Sequence, residues 1–421
     1  MSRAVVVVGG GITGCITALR LARAGHAVTL IESTSTLGGT LRDFPVGDTA
    51  YLRGCQYVEA TAPWLAPIAT LVARHLITVP HAMGSYTVQD GVVRTATGVA
   101  VPLLGGALPA AATGDTALDD VTLENRVARY GPWSTTLRAL AERSGHPTAT
   151  LAADAAIALQ MIRVLPADVP VDAVIAAKRE WAWADARIAA RRESRGDADP
   201  VAMVPRAGWS PFFGDLHADL ASVGVTVRTG RAAKVSLHGA HLRAVLDGQR
   251  LDGTLVWAAN PVPLAPLFGL GTLDNAFVPS TNIHARVTSW QGVAPLYVQW
   301  HDADSPLLRV YLYEWAGELR ACLECYGSLS AADALRVAQH AMREMAPWGD
   351  GLTLADPIVD KHRRHHLLTA ADVTRLHALE RMLGETDAVG GAWAEYGREQ
   401  KLAAIAGRLA QLGLLDPDRL D

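Results

Sequence analysis

Glycines near the amino terminus are spaced to hold a phosphate group. Gly9, Gly11 and Gly14 fit the pattern G-x-G-x-x-G. In this pattern the first glycine permits a tight turn, the second lets backbone N–H groups approach a pyrophosphate, and the third lets helix and strand pack closely. Glu32 follows Gly14 by eighteen residues, near the spacing at which a carboxylate accepts hydrogen bonds from ribose hydroxyls and repels a 2′-phosphate. The residues predict a dinucleotide site, with NADP the least favoured ligand.

The elements that must position these glycines are visible on either side of them. Ala4–Val8 is an unbroken apolar, β-branched run, typical of a strand buried on both faces of a parallel sheet. The next residues have the apolar spacing of a helix that Gly25 closes, and its first residues, Ile12 and Thr13, are expected at the phosphate. Val28–Ile31 then predicts a second strand, which ends at Glu32.

Composition restricts the class of protein. Half of the 421 residues are hydrophobic, 19% are charged and the formal net charge is −4, so we expect at least two domains and neither disorder nor a nucleic-acid partner. Four cysteines are too few for a disulfide framework. The sequence therefore predicts a cytoplasmic, reduced protein without a transmembrane helix.

A second pair of glycines indicates which dinucleotide is bound. Gly38 and Gly39, followed by Thr40, come six residues after Glu32 and let a loop pass close to a second phosphate or to an isoalloxazine. This order resembles the FAD fingerprint of the amine oxidase, phytoene desaturase and UDP-galactopyranose mutase superfamily. The resemblance implies FAD as cofactor and makes Arg42 a flavin or pyrophosphate contact, although a solvated loop arginine fits the same position.

The rest of the chain matches the order of landmarks in that superfamily. Residues 122–193 are rich in Ala and Leu with helical spacing, whereas residues 282–326 alternate apolar and polar residues with a period of two. The resemblance implies an α/β fold, with a Rossmann-like FAD-binding domain of the GR2 type, a helical cap and an antiparallel β-sheet substrate domain. The expected segments are 1–75, 201–281 and 381–421 for FAD binding, 76–200 for the cap and 282–380 for the sheet.

Distant segments are expected to complete the cofactor site. The resemblance implies a backbone contact of Val235 with adenine. It also places a short strand that runs into Gly390 and Gly391 beside the cofactor, followed by a closing helix from Arg398 to Leu412. Tyr396 lies close to a flavin-facing tyrosine of the family, but a packing tyrosine at a helix start accounts for it equally well.

Within the superfamily the landmarks are most similar to UDP-galactopyranose mutase. The resemblance implies that Arg179 and Arg309 clamp a substrate diphosphate, since planar guanidinium groups match phosphate oxygens bidentately. Gln56 stands where the mutases have a histidine beside the flavin, Leu323 stands where they have an active-site tyrosine, and Gly391 replaces an arginine. These departures weaken the expectation of galactopyranose as substrate more than that of FAD binding.

A cysteine pair and a histidine cluster each have a spacing that could suggest a metal site. Cys322 and Cys325 lie on an apparent strand without a second C-x-x-C pair, and they are expected to be buried thiols. The segment 362–366 holds three histidines beside two arginines, whose charge opposes a divalent cation, so we expect an exposed or anion-facing strand and no metal.

Three functions stay open from the sequence. The first is an FAD-dependent enzyme resembling the mutase, which acts on a small-molecule substrate such as a nucleotide-linked sugar or a related sugar metabolite through the reduced flavin N5. The second is an FAD-dependent oxidoreductase of the amine oxidase or desaturase type in secondary metabolism, and the third is an inactive flavin-binding accessory protein.

Overall fold

The computed structural model describes residues 2–59, 63–109, 120–190, 201–274 and 276–416, with the backbone alone for residues 59, 276, 277 and 363–365. The strands are β1 (Ala4–Val8), β2 (Ala27–Ile31), β3 (Asp43–Val46), β4 (Thr49–Leu52), β5 (Val58–Glu59), β6 (Leu76–Pro80), β7 (Ala82–Gln89), β8 (Val92–Thr97), β9 (Leu103–Leu104), β10 (Leu165–Pro166), β11 (Val201–Pro205), β12 (Thr226–Arg228), β13 (Lys234–His238), β14 (His241–Leu246), β15 (Gln249–Arg250), β16 (Thr254–Trp257), β17 (Ala276–Gly292), β18 (Leu296–His301), β19 (Leu307–Trp315), β20 (Glu318–Tyr326) and β21 (Gly349–Leu367).

The helices include long amphipathic ones and shorter ones between strands. They are α1 (Ile12–Arg23), α2 (Ala69–His75), α3 (Leu123–Ala128), α4 (Ser134–Glu142), α5 (Ala155–Ala158), α6 (Val171–Glu180), α7 (Ala182–Arg187), α8 (Trp209–Ser222), α9 (Ala331–Glu344), α10 (Ala370–Gly384) and α11 (Arg398–Gln411). No helix among the described residues is long and apolar enough to cross a membrane.

The glycine-rich turn belongs to a four-stranded parallel sheet with the strand order β12-β2-β1-β16. The central strand β1 is buried on both faces. Val5 and Val7 pack with α1, α8 and α11, whereas Val6 and Val8 pack with β14 and α10 on the opposite side. This layered arrangement confirms the predicted Rossmann-like unit. The short strand expected before Gly390 is only a single bridge, between Val389 and Val256 of β16.

A second, seven-stranded sheet has the order β21-β17-β20-β19-β18-β7-β8. Its neighbouring strands run antiparallel except for β7 and β18, which are parallel, so the sheet is mixed rather than wholly antiparallel. One face packs against α9 around Trp300 and Leu323, and the other packs against the nucleotide-binding layer through Tyr311 and Tyr313.

Helices α3 to α7 form the predicted cap, around a separate core that includes Trp133 and Trp183. The strands β7 and β8 also lie in the segment 76–200 that was expected to be cap, yet they join the large sheet. Strand β7 pairs with β18, and Tyr86 of β7 stacks on Trp300 of β18 on the apolar face of that sheet. Residues 191–200, at the end of the expected cap segment, lie outside the described residues.

The contrast between two helical glycines tests how tightly α1 is packed. A Cβ at Gly14 would overlap the carbonyl oxygen of Gly9, whereas Gly407 is exposed on α11 with open space at that position. Gly14→Ala should lower the free energy of unfolding by about 1–3 kcal/mol through overpacking. Gly407→Ala should raise it by about 0.5–1 kcal/mol. Urea unfolding followed by circular dichroism measures both, and equal effects of the two changes would contradict the packing described.

Candidate functional site

Two glycine loops meet at the amino-terminal end of α1. Gly38 donates its N–H to the carbonyl oxygen of Gly10 at 2.9 Å. Gly39 has φ +61°, and a Cβ on it would stand 3.0 Å from the Cα of Gly11. Neither loop has a side chain at the contact, so the backbones touch. Since Gly11 precedes α1 without a side-chain cap, the first N–H groups of the helix are available to an anion.

Glu32, at the end of β2, lies directly beneath this turn and is 7% exposed. Its carboxylate accepts hydrogen bonds from the N–H of Gly10 at 2.7 Å and from the N–H and hydroxyl of Thr34 at 2.8 and 2.7 Å. Burial acts to raise the pKa of Glu32, but these hydrogen bonds outweigh it and lower the pKa. The carboxylate is therefore ionised near neutral pH, and lone pairs remain for further donors.

A cavity of about 390 Å³ opens at the junction of the two loops. Glu32 stands in its wall, together with the start of α11 and the segment that follows β16. The lining residues are Gly9, Gly11, Ile12, Thr13, Glu32, Gly38, Gly39, Thr40, Trp257, Ala258, Ala259, Asn260, Pro261, His366, Gly391, Trp393, Arg398, Lys401 and Ile405.

Three basic residues lie in the wall of this cavity. His366 comes from β21, and Arg398 and Lys401 come from the first turn of α11. Burial lowers the pKa of Lys401 and nearby Arg398 lowers it further, while burial and then Lys401 lower the pKa of His366. The positive charges of Arg398 and Lys401 repel one another in the cavity wall, and a bound anion would relieve that repulsion. Helix α11, like α1, begins without a side-chain cap.

Nine of the residues predicted to bind the cofactor lie in the cavity wall, and others do not. Those in the wall are Gly9, Gly11, Ile12, Thr13, Glu32, Gly38, Gly39, Thr40 and Gly391. Gly14 packs against Gly9 behind the turn. Gly390 packs against the ring of Trp393.

Arg42, Val235 and Tyr396 are engaged elsewhere. Arg42 donates to the hydroxyl of Thr34 at 2.7 Å and lies 3.9 Å from the Glu32 carboxylate, so it supports that acid from outside the cavity. Val235 pairs with Ala244 in the β13–β15 sheet. The hydroxyl of Tyr396 accepts a hydrogen bond from the N–H of Leu368 at 3.1 Å, as a packing tyrosine would. Their predicted cofactor contacts stay predictions.

The loop from Arg53 to Tyr57 connects the glycine loop to the large sheet. Gln56 is 3% exposed and donates to the carbonyl oxygens of Thr40 at 2.5 Å and Arg53 at 2.9 Å. Within the described part of the chain, its amide oxygen accepts no hydrogen bond. Gln56 therefore holds the edge of the cavity in place and has one acceptor left.

A row of polar residues crosses the face of the large sheet that this loop covers. Gln299, Arg309, Glu324, Asn282 and Asp360 stand directly opposite one another on β18, β19, β20, β17 and β21. Opposed residues on neighbouring strands share a face, and all but the arginine are at most 6% exposed. Arg53 donates to Asp360 at 2.9 Å, and the N–H of Cys55 donates to Glu324. The polar row is thus the surface on which the loop docks.

Arg309 is paired within the polar row. Its Nε and Nη2 lie 2.7 and 2.5 Å from Oε2 of Glu324, which is 1% exposed. Burial alone would lower the pKa of Arg309, but Glu324 raises it well above the usual value. With Arg53 on Asp360, the polar row forms two ion pairs whose charges cancel.

Arg179 does not join Arg309 in this structure. It is exposed on α6 of the cap and lies outside the cavity wall, whereas its neighbour Lys178 is buried and donates to the carbonyl oxygens of Asp185 and Ile188. The predicted diphosphate clamp stays a prediction, and the structure supplies an internal partner for one of its two arginines.

The sequence does not predict a site role for several residues of the cavity wall and of the polar row. Arg398 and Lys401 are spaced three residues apart at the start of a predicted helix, which places both on one face. His366 ends the histidine and arginine segment that was expected to be exposed or to face an anion. Glu324 and Asn282 become site residues only through strand register, which the sequence does not display.

Comparisons with known proteins agree with this geometry. A family model described as an NAD(P)-binding Rossmann-like domain matches residues 7–69. The structure of a reduced UDP-galactopyranose mutase aligns with all of this chain and 97% of its own, with a TM-score of 0.67 and 12% identity. This chain therefore shares the fold of that mutase structure.

Solved oxidases share the fold over a similar length. A redesigned putrescine oxidase aligns with 98% of this chain and 99% of its own, at 13% identity and a TM-score of 0.60. Cyclohexylamine oxidase from Brevibacterium oxydans IH-35A aligns with 97% of this chain and 100% of its own, at 13% identity and a TM-score of 0.59. No curated protein matches the sequence. The predicted resemblance is confirmed at the level of the fold.

The ion pair of Arg309 and Glu324 provides a stability test. Glu324→Ala should lower the free energy of unfolding by about 3–5 kcal/mol because it leaves a buried guanidinium unpaired. The double change Arg309→Met with Glu324→Leu should recover most of that loss. Arg336→Ala, which removes an exposed pair with Asp333, is the control and should cost about 0–1 kcal/mol. Equal losses for Glu324→Ala and Arg336→Ala in urea unfolding would refute the buried pair.

Proposed function

We propose that this chain binds FAD in the cavity between the two glycine loops and is an FAD-dependent oxidoreductase. The shape of the cavity supports the cofactor. Among the described residues, a Cβ at Gly11 would have only the Cα of Gly39 within 4 Å, at 3.7 Å, so the space beside this glycine is free for a ligand to approach the backbone. Two uncapped helix starts and a basic flank would receive the pyrophosphate.

The residues present fit the parts of FAD. Glu32 would accept hydrogen bonds from the ribose hydroxyls, and the N–H groups at the start of α1 would bind the pyrophosphate. Arg398 and Lys401 add positive charge at the same cavity. When bound, FAD supplies an isoalloxazine that accepts or returns a hydride at N5. The chain's own part is to hold the cofactor, orient the substrate and exclude water.

The charge balance of the polar row favours an oxidoreductase. A nucleotide diphosphate brings about two negative charges, and its binding needs uncompensated cations. Arg309 and Arg53 both face buried carboxylates, Glu324 and Asp360. The row therefore suits an uncharged substrate, as in hydride transfer from a small neutral molecule. We also propose a cytoplasmic location, supported by the four free cysteines.

Gly11→Val tests the cofactor proposal. The new side chain would extend into the cavity with little protein contact, so the fold should remain while the pyrophosphate is kept from the backbone. The wild type should be yellow, with the absorbance spectrum of a flavin, and the variant colourless with an unchanged circular dichroism spectrum. Gly407→Ala is the matched control and should stay yellow. A yellow Gly11→Val protein, or a colourless wild type that takes up no added FAD, would refute the site.

A nucleotide-sugar mutase is the second candidate. The alignment over the whole chain with UDP-galactopyranose mutase favours it, as does the presence of Arg309 beside the Cys55–Gln56 loop. In this case UDP should bind the wild type, and Arg309→Ala should abolish UDP binding while FAD stays bound. Glu324→Gln should tighten UDP binding, because it releases the guanidinium of Arg309.

The two functions are separated by calorimetry and turnover on the yellow protein. For the oxidoreductase we expect no binding of UDP and oxygen-dependent release of peroxide with a neutral alcohol. Tight binding of UDP, or conversion of a nucleotide sugar only after dithionite reduction, would overturn the oxidoreductase proposal in favour of the mutase.

A further inference from the structure

A second pocket, of about 310 Å³, lies at the end of the large sheet where β7 and β18 run parallel. Its wall is mainly apolar and includes Met83, Val293, Leu296, Pro347 and Trp348. A pocket of this volume and lining is in the range that small molecules occupy. None of the residues in its wall belongs to the cavity assigned to the cofactor.

The apolar wall is built by a specific packing arrangement. The indole N–H of Trp348 donates to the carbonyl oxygen of Ala96 at 3.2 Å, so the polar atom of this ring is satisfied by β8. A Cβ at Gly84 would overlap the same indole. The glycine on β7 thus lets the ring lie against the strand.

Beside the exposed Thr97, this wall contains a buried polar side chain, His81. It lies between β6 and β7, is 2% exposed, and its Nε2 has no hydrogen-bond partner in the described part of the chain. Burial lowers the pKa of His81 to about 4, so the imidazole is neutral at pH 7. A buried ring nitrogen without a partner is an exception among native polar groups and calls for a ligand or a water molecule.

The His81 ring also contacts aromatic residues that lead to the polar row. Its ring centroid lies 4.3 Å from that of Tyr57, 6.1 Å from that of Tyr311 and 6.2 Å from that of Tyr297. The guanidinium of Arg309 lies 5.9 Å from the Tyr297 ring centroid. Tyr57 directly follows Gln56 in the loop that borders the cofactor cavity. His81 therefore stands between the apolar pocket and the face proposed for the chemistry.

We propose that this pocket binds the apolar part of an uncharged substrate, a ring or short chain with one hydroxyl or carbonyl group that hydrogen-bonds to the imidazole of His81. The proposal rests on the proposed oxidoreductase function and names its substrate class. A neutral imidazole donates to a carbonyl or accepts from a hydroxyl, depending on its tautomer. The apolar wall disfavours a charged or strongly hydrated molecule.

Binding of benzyl alcohol and toluene to the full chain tests this assignment. Val293→Trp should fill the opening of the pocket and weaken the binding of both ligands at least tenfold. Val293 is 56% exposed, so the change should not disturb the core. Val92→Trp, at a 50% exposed position on β8, is the matched control and should leave both affinities unchanged. Saturation-transfer NMR titrations measure the dissociation constants, and thermal melts confirm that each variant is folded.

His81→Phe keeps a ring against Tyr57 and removes the nitrogen. The change should weaken the binding of benzyl alcohol about fivefold, the effect of one net hydrogen bond, and leave the binding of toluene nearly unchanged. Equal binding of benzyl alcohol to the wild type and to Val293→Trp, or no binding to the wild type, would overturn the proposal. A colourless protein that binds benzyl alcohol in the expected pattern would refute the FAD site alone. A yellow protein that fails to bind it would refute the pocket alone.

Discussion

The cavity exists because two backbone segments touch at positions without side chains. A Cβ on Gly39 would stand 3.0 Å from the Cα of Gly11, closer than ordinary contact, so this approach depends on the absence of a side chain at position 39. The hydrogen bond from Gly38 to Gly10 fixes this contact. The carboxylate of Glu32 holds the glycine turn from the other side by accepting a hydrogen bond from the N–H of Gly10.

The large sheet has two faces of opposite character, and this division orders the rest of the molecule. The face around Trp300 and Leu323 is apolar and covered by α9. The other face carries Glu324 and Asp360, whose carboxylates hold the Cys55 N–H and Arg53. Two acids on the sheet thus bind one loop of the nucleotide-binding layer. Side-chain charge, rather than apolar area alone, determines where the two layers meet.

Local sequence patterns were enough to predict much of the fold and the part of the cavity wall that lies between Gly9 and Thr40. The run from Ala4 to Glu32 contains strand, turn, helix and acid in consecutive positions, so spacing alone specifies it. Arg309 shows where this reasoning ends. Its partner Glu324 is on the next strand, and only the strand register, set here with a bulge after Leu307, brings them together. The contact of Arg42 with the hydroxyl of Thr34 could not be predicted for a similar reason, because tertiary contacts determine the path of the loop that carries Arg42.

The parallel sheet is assembled from widely separated parts of the chain. Strand β1 is completed on one side by β2, which follows within twenty residues, but on the other side by β16, which begins at Thr254. During synthesis from the amino terminus, one edge of the apolar strand β1 stays uncovered until some 250 residues have been made. Long-range pairing of this kind folds slowly and exposes strand edges that aggregate. The complete parallel sheet can therefore form only after more than half of the chain has been synthesised.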